Sequence, residues 1–332
     1  MSITDHHVIY AKLKKLLIRT ILAGLVLLLE VSCSPTVNSI SSPAPTLSSN
    51  IGITQLPLPK RIKVALSPRF NLTGSKIAFV GVHGDRDENL YVYDLTTGTI
   101  QAALNEEEFS FVSRPGWSPD GKVTFSGFSV TQKKHGFWAV QIGSDPEFIT
   151  SKPGASWSPD GSRLAVEGPR SESINLINLE NETSQRIFRI EGETQHRIRQ
   201  ITWSPDSQTL AFVIEDTING YRIDRLARID ANGKNYKILN DDPQSITVFD
   251  PTWILDGKWL AFVSVFGLDQ GIWFVNERGN CTVRLSIIKN PGSMDFMEGG
   301  SVAIVESRGQ LFIVNIDAAL APLTLEEVLN CK

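Results

Sequence analysis

Short apolar runs recur along the chain at regular intervals, separated by polar turns. Six of them are five residues long: KIAFV (76–80), KVTFS (122–126), RLAVE (163–167), TLAFV (209–213), WLAFV (259–263) and SVAIV (301–305). They are too short for helices and rich in β-branched and aromatic residues, so they predict strands. After a loop of variable length, each is followed by a second such run: LYVYDL (90–95), FWAVQI (137–142), INLINL (174–179), RLARID (225–230), IWFVNE (272–277) and LFIVNI (311–316). A polar turn such as Thr96-Thr97-Gly98 or Ala231-Asn232-Gly233 comes next, then a third strand. A further strand ends at an aromatic residue that opens the next unit.

That aromatic anchors an internal repeat. Trp117-Ser118-Pro119-Asp120-Gly121 returns as Trp157-Ser158-Pro159-Asp160-Gly161, as Trp203-Ser204-Pro205-Asp206-Ser207 and as Trp253-Ile254-Leu255-Asp256-Gly257. Weaker copies begin at Phe70 and Phe296. Six copies of four strands predict an all-β chain: a six-bladed β-propeller of four-stranded antiparallel blades. The motif has a physical basis. Proline presets φ, aspartate tolerates the bridge conformation that follows, and glycine supplies the positive φ that closes the hairpin. The ring Phe70, Trp117, Trp157, Trp203, Trp253 and Phe296 offers large areas to bury between blades. The aspartates read as turn residues rather than metal ligands, since no other carboxylate stands beside them at calcium-loop spacing.

The run P-x-W-S-P-D-G-K-x-[IL]-A-F, followed by a strand like L-Y-V-Y-D-L-x-x-G, resembles the TolB-type propeller repeat. The resemblance covers residues 60–332 and is strongest in copies two to five. It implies the propeller fold and an exported protein. Segments 61–66 and 322–329 are the spare pieces at the two ends, with a short helix as the alternative reading for residues 325–329. Closure of the ring is expected from residues near the start of the globular part pairing with the last blade.

Residues before the repeats carry an address. Lys12, Lys14, Lys15 and Arg19 precede the apolar stretch Ile21–Leu29, which is shorter than the about 20 residues a membrane span needs. Ser32-Cys33 follows, and the whole resembles a bacterial lipoprotein signal. That resemblance implies removal of residues 1–32, acylation of Cys33, and a periplasmic or cell-surface protein anchored to a membrane. Residues 33–59 are rich in Ser, Pro and Thr without apolar periodicity. They read as a disordered tether, with an r.m.s. span of roughly 25–30 Å. The globular part is then 60–332.

Composition narrows the function. The formal charge is −4 and the pI about 5.8, which argues against nucleic acid as the main partner. Three cysteines are too few for a disulfide scaffold, and CxxC is absent. With Cys33 assigned to lipid, Cys281 and Cys331 form a disulfide candidate.

No G-x-S-x-G motif is present. His83, His135 and His196 fall in or beside loops of one face, but in separate units, so a metal site is not expected. Those loops are unlike one another, which suits binding. Candidate binding residues are Asp85, Arg86, Asp87, Lys134, His135, Arg170, His196, Arg197 and Asp269. Blade one is acidic there, with Glu106–Glu108 alongside, while blades two and three are basic, a split field able to orient a charged partner. The sequence therefore predicts a monomeric, cofactor-free binding or scaffold propeller for a protein, peptide or glycan. The alternative is a small lyase or hydrolase using the histidine-bearing face.

Overall fold

A blade lies between two others, so its middle strands are buried on both faces and read as continuous apolar runs instead of alternating. The strand Lys76–Val82 shows this directly, with all five interior residues buried. The computed structural model describes residues 29–32, 52–84, 88–105, 108–191, 196–218, 221–240, 247–265, 270–297 and 299–329.

Six antiparallel blades form, each with its first strand innermost. Blade one is Val64–Phe70, Lys76–Val82, Glu88–Asp94 and Thr99–Ala102. Blade two is Phe109–Trp117, Val123–Ser129, Lys134–Val140 and Glu147–Thr150. Blade three is Ser156–Trp157, Arg163–Glu167, Ser173–Asn178 and Ser184–Arg189. Blade four, with the longest hairpin, is Arg197–Trp203, Thr209–Ile218, Tyr221–Asp230 and Lys237–Ile238. Blade five is Phe249–Ile254, Trp259–Ser264, Gly271–Asn276 and Thr282–Leu285. Blade six takes Pro291–Phe296, Val302–Ser307 and Gln310–Asn315 from the C-terminal part. The inner strands of blades six and one pack together, closing the ring.

The fourth strand of blade six is Ile53–Gln55, paired antiparallel with Phe312–Val314. The ring is thus completed by the N-terminal side, as expected, but by a different segment. Residues 64–66 belong to the inner strand of blade one, and the closing strand comes from within the stretch read as tether. Three residues, two of them exposed, give too little apolar signal to stand out among Ser and Pro. The globular part therefore reaches back before residue 60. Residues 322–329 supply no strand. They contain a short helix, Leu325–Val328, capped by Thr324 and Glu327, with Leu325 and Leu329 buried against the base of blades five and six. Leu29–Ser32, read as the end of the signal, lies antiparallel to Thr282–Leu285 as an extra outer strand of blade five.

The repeat motif behaves as its chemistry dictates. Gly121, Gly161 and Gly257 all have φ between +75° and +85°, and Ser207 adopts +59° in the copy that lacks glycine. In each Ser-Pro-Asp turn the serine is buried. The Ser158 hydroxyl donates to Asp160 at 2.6 Å and accepts the Arg163 N–H at 2.9 Å; Ser204 and Asp206 repeat the pattern. The aspartates are turn residues. The aromatics stitch neighbouring blades: Trp117 Nε1 donates to the Arg69 carbonyl and Trp203 Nε1 to the Ser156 carbonyl, both at 3.0 Å. Phe70, Trp203, Trp253 and Phe296 are buried, while Trp117 and Trp157 are half-buried. Apolar clusters fill the wedges, as where Val80 and Val92 of blade one meet Phe125 and Trp138 of blade two. Cys281 is buried and disulfide-bonded; Cys33 and Cys331 lie outside the described residues.

Candidate functional site

Inner strands of a propeller line its axis, and here most carry the same irregularity. The residue three places before the aromatic has left-handed backbone in five blades: Ser67, Arg114, Gly154, Gln200 and Asp250, with φ from 50° to 72°. In blades one, two, four and five the ladder to the second strand shifts register at this point, the signature of a β-bulge. A bulge re-aims side chains, and these residues, with those one place before the aromatic, wall a cavity of about 290 Å³ on the axis.

Charges in that wall are bound to each other. Arg69 of blade one reaches Asp250 of blade five at 2.8 Å and also donates to the Met294 carbonyl of blade six at 3.0 Å. Burial works against the charge of Arg69, but Asp250 and Asp295 together outweigh it and raise its pKa. Asp295 of blade six accepts the Phe70 N–H at 2.8 Å and the Thr252 hydroxyl at 3.2 Å. Burial pushes its carboxyl above the usual range, against the pull of Arg69. Arg114 occupies the space left by Gly154, where an added Cβ would lie 2.0 Å from its Nη1, and pairs with Glu167 at 2.9 Å.

A second charged lattice supports the rim at blade four, where the second and third strands join. The Asp224 side chain is wholly buried. It takes Arg199 at 2.8 Å, Arg222 at 3.0 Å and the Val248 N–H at 3.1 Å. Both arginines also reach Glu215 at 3.2 Å and stack over Phe249, with centroid distances of 5.0 and 5.6 Å. Burial holds the Arg199 guanidinium below its ordinary pKa despite these carboxylates. The lattice braces the long hairpin against the entry to blade five.

The residues singled out in the sequence are spread over this rim. Lys134 and His135 are exposed on blade two, with the Lys134 ammonium 5.0 Å above the Phe148 ring and His135 against Phe111. Arg170 is exposed at the tip of blade three beside Glu172. His196, at the entry to blade four, lies 3.0 Å from Asp216, and Arg197 next to it is exposed. Asp85, Arg86, Asp87, Asp269, Glu106 and Glu107 lie outside the described residues. His83 bonds to Tyr91 within blade one. Each histidine is engaged within its own blade. Among the described residues no three His, Cys, Asp or Glu side chains converge to hold a metal ion.

The channel set of Arg69, Asp250 and Asp295 was not singled out in the sequence. Its signal is an offset of one place (Arg69, Asp295) or three places (Asp250) before a repeat aromatic, which has meaning only once those strands are known to face the axis.

No family model matches the chain, and no curated protein matches it. Solved structures do. TolB from Acinetobacter baumannii is 20% identical with a TM-score of 0.53, covering 67% of this chain and 54% of that one. The chain thus spans about half of that relative. An oligogalacturonate lyase from Vibrio parahaemolyticus is 15% identical with a TM-score of 0.53, covering 89% and 84% of the two chains. A putative TolB from Agrobacterium tumefaciens is 18% identical with a TM-score of 0.53, covering 76% and 89%. At such identities the likeness establishes a shared propeller fold. The site chemistry is argued from this chain alone.

Proposed function

We propose that the chain is an extracytoplasmic binding propeller. It is held at a membrane by a lipid on Cys33 and a tether, and it presents the rim of blades two to four to a protein, peptide or glycan. One observation carries the reading. Lys133, Lys134 and His135 of blade two, Arg170 of blade three and Arg197 of blade four are all exposed on that rim. Lys134, His135 and Arg197 sit on strands of the repeated core, Lys133 and Arg170 in the turns beside them, and a basic arc on a rigid support suits a partner whose contacting surface is acidic. The enzyme reading needs convergent catalytic groups. The acids and bases of the channel are instead tied to one another, and the three histidines remain in separate blades.

Capture from a membrane fraction with the acylated full chain as bait tests this. A specific partner is expected to be retained by wild type, and lost from K134E/R170E/R197E and at about 0.5 M salt, where screening is short-ranged. Equal capture by the variant, or no capture by either, overturns the reading. Cys33→Ser should move the protein from the membrane to the soluble fraction. Unchanged fractionation would rule out the lipid.

A further inference from the structure

The axial cavity has features that select a ligand by class. Its volume, about 290 Å³, is at the lower limit of small-molecule sites, roughly 300 Å³. It has room for one substituted six-membered ring rather than a chain.

The charged groups of the wall are already engaged: Arg69 with Asp250, Arg114 with Glu167, and Asp295, which lies in the field of Arg69, with the Phe70 N–H and the Thr252 hydroxyl. An ionic ligand would leave water without finding a free counter-charge, which is costly. The unspent groups are uncharged. The hydroxyls of Ser67, Ser156 and Thr202 form no hydrogen bond with any described residue, and each belongs to a residue lining the cavity. Ser156 is held in place, because its carbonyl accepts Trp203 Nε1 from the next blade. Two indole side chains, Trp117 and Trp157, stand half-buried in the same wall, on neighbouring blades.

Hydroxyl donors and acceptors beside aromatic surface, with charge neutralised in place, match a molecule that is polar at its edges, apolar on its ring faces and uncharged. We propose that the cavity is a second binding site, taking a neutral hydroxyl-rich ring of the hexose or N-acetylhexosamine type. The ring faces lie against Trp117 and Trp157, and the hydroxyls exchange hydrogen bonds with Ser67, Ser156 and Thr202. The site is separate from the basic rim, and neither reading depends on the other.

The test uses the full-length chain, titrated with glucose and N-acetylglucosamine, and with the charged rings glucuronate and glucosamine. Tryptophan fluorescence and saturation-transfer NMR report binding. Both neutral sugars are expected to saturate, with the charged rings about tenfold weaker or worse. Thr202→Val and Ser156→Ala, which alter only a hydroxyl, should each weaken binding about fivefold. Absence of saturation by both neutral rings up to about 10 mM overturns the proposal, as does equal affinity for the charged rings. The comparison of neutral with charged rings uses wild-type protein, so it stands even where a variant fails to fold.

Discussion

The Asp295 carboxylate of blade six accepts the backbone N–H of Phe70, the first repeat aromatic, at 2.8 Å. The last blade is thereby bonded to the first through a half-buried side chain at the wall of the axial cavity. The same carboxylate takes the Thr252 hydroxyl, and Arg69 extends the seam to Asp250, so blades five, six and one share one polar knot. Strand Ile53–Gln55 fastens blade six at the outer edge, while Asp295 fastens the seam at the axis.

Burial raises the pKa of Asp295, so the folded chain holds this proton more tightly than the unfolded chain. Its contribution to stability is then fully present below the ordinary carboxylate range and is lost as pH rises through the folded pKa. Urea unfolding of wild type and Asp295→Asn, compared from pH 4 to 8, should show the stability difference changing in that direction. A pH-independent difference would mean that this carboxyl does not titrate with folding. Asp295→Ala, which leaves the Phe70 N–H without its acceptor, should cost about 1–3 kcal/mol.

Trp203 joins blade four to blade three by its buried ring and its bond to Ser156, with the Arg163 guanidinium 4.8 Å above it. Trp203→Ala should cost about 3–5 kcal/mol through loss of buried area and the cavity left behind. Trp203→Phe keeps most of the ring and forfeits the hydrogen bond, about 1 kcal/mol. Chemical denaturation separates the two. A loss for the alanine variant below that of the phenylalanine variant would mean the ring is not a core element.

How much of this could be read from residues alone follows from what each feature leaves in the sequence. The Trp-Ser-Pro-Asp-Gly turns are local, since each residue type answers a backbone demand within five positions. The blade number and strand pairs followed from them. The bulges at Ser67, Arg114, Gln200 and Asp250 left no such mark, because none of these left-handed positions is a glycine. Their conformation is imposed by the ladder they interrupt. Arg69, Asp250 and Asp295 come from three blades and stand far apart in the chain, so only ring closure brings them together. The rim residues on blades two to four were legible as exposed loop charges. The Asp224 lattice was not, because alternation along Tyr221–Asp230 does not show which charges turn inward.

Gly154, the left-handed position of blade three, requires glycine for two reasons. Its φ is +72°, and the place of a Cβ is taken by the Arg114 guanidinium. Gly154→Ala should cost about 1–3 kcal/mol and detach Arg114 from Glu167. Repeating the substitution in an Arg114→Ala background should recover part of the loss, since the steric share disappears and the backbone share remains. Strictly additive losses in the double-mutant cycle would refute the contact.

Asp224 carries the blade-four rim in the same way that Asp295 carries the seam, but with two arginines in place of one. Asp224→Ala leaves Arg199 deep in the rim with Glu215 as its one remaining carboxylate partner among the described residues and removes the acceptor of the Val248 N–H. Breaking a buried pair from one side typically costs about 3–5 kcal/mol. The loss should be local at first. Amide exchange at Val248 and along Thr209–Val213 should accelerate while the blade-one strand Lys76–Val82 stays protected, because the blades are joined mainly to their neighbours. Asp224→Asn retains one acceptor and should fall between wild type and alanine. Uniform acceleration through all blades would show that the lattice serves the whole ring and not the rim it braces.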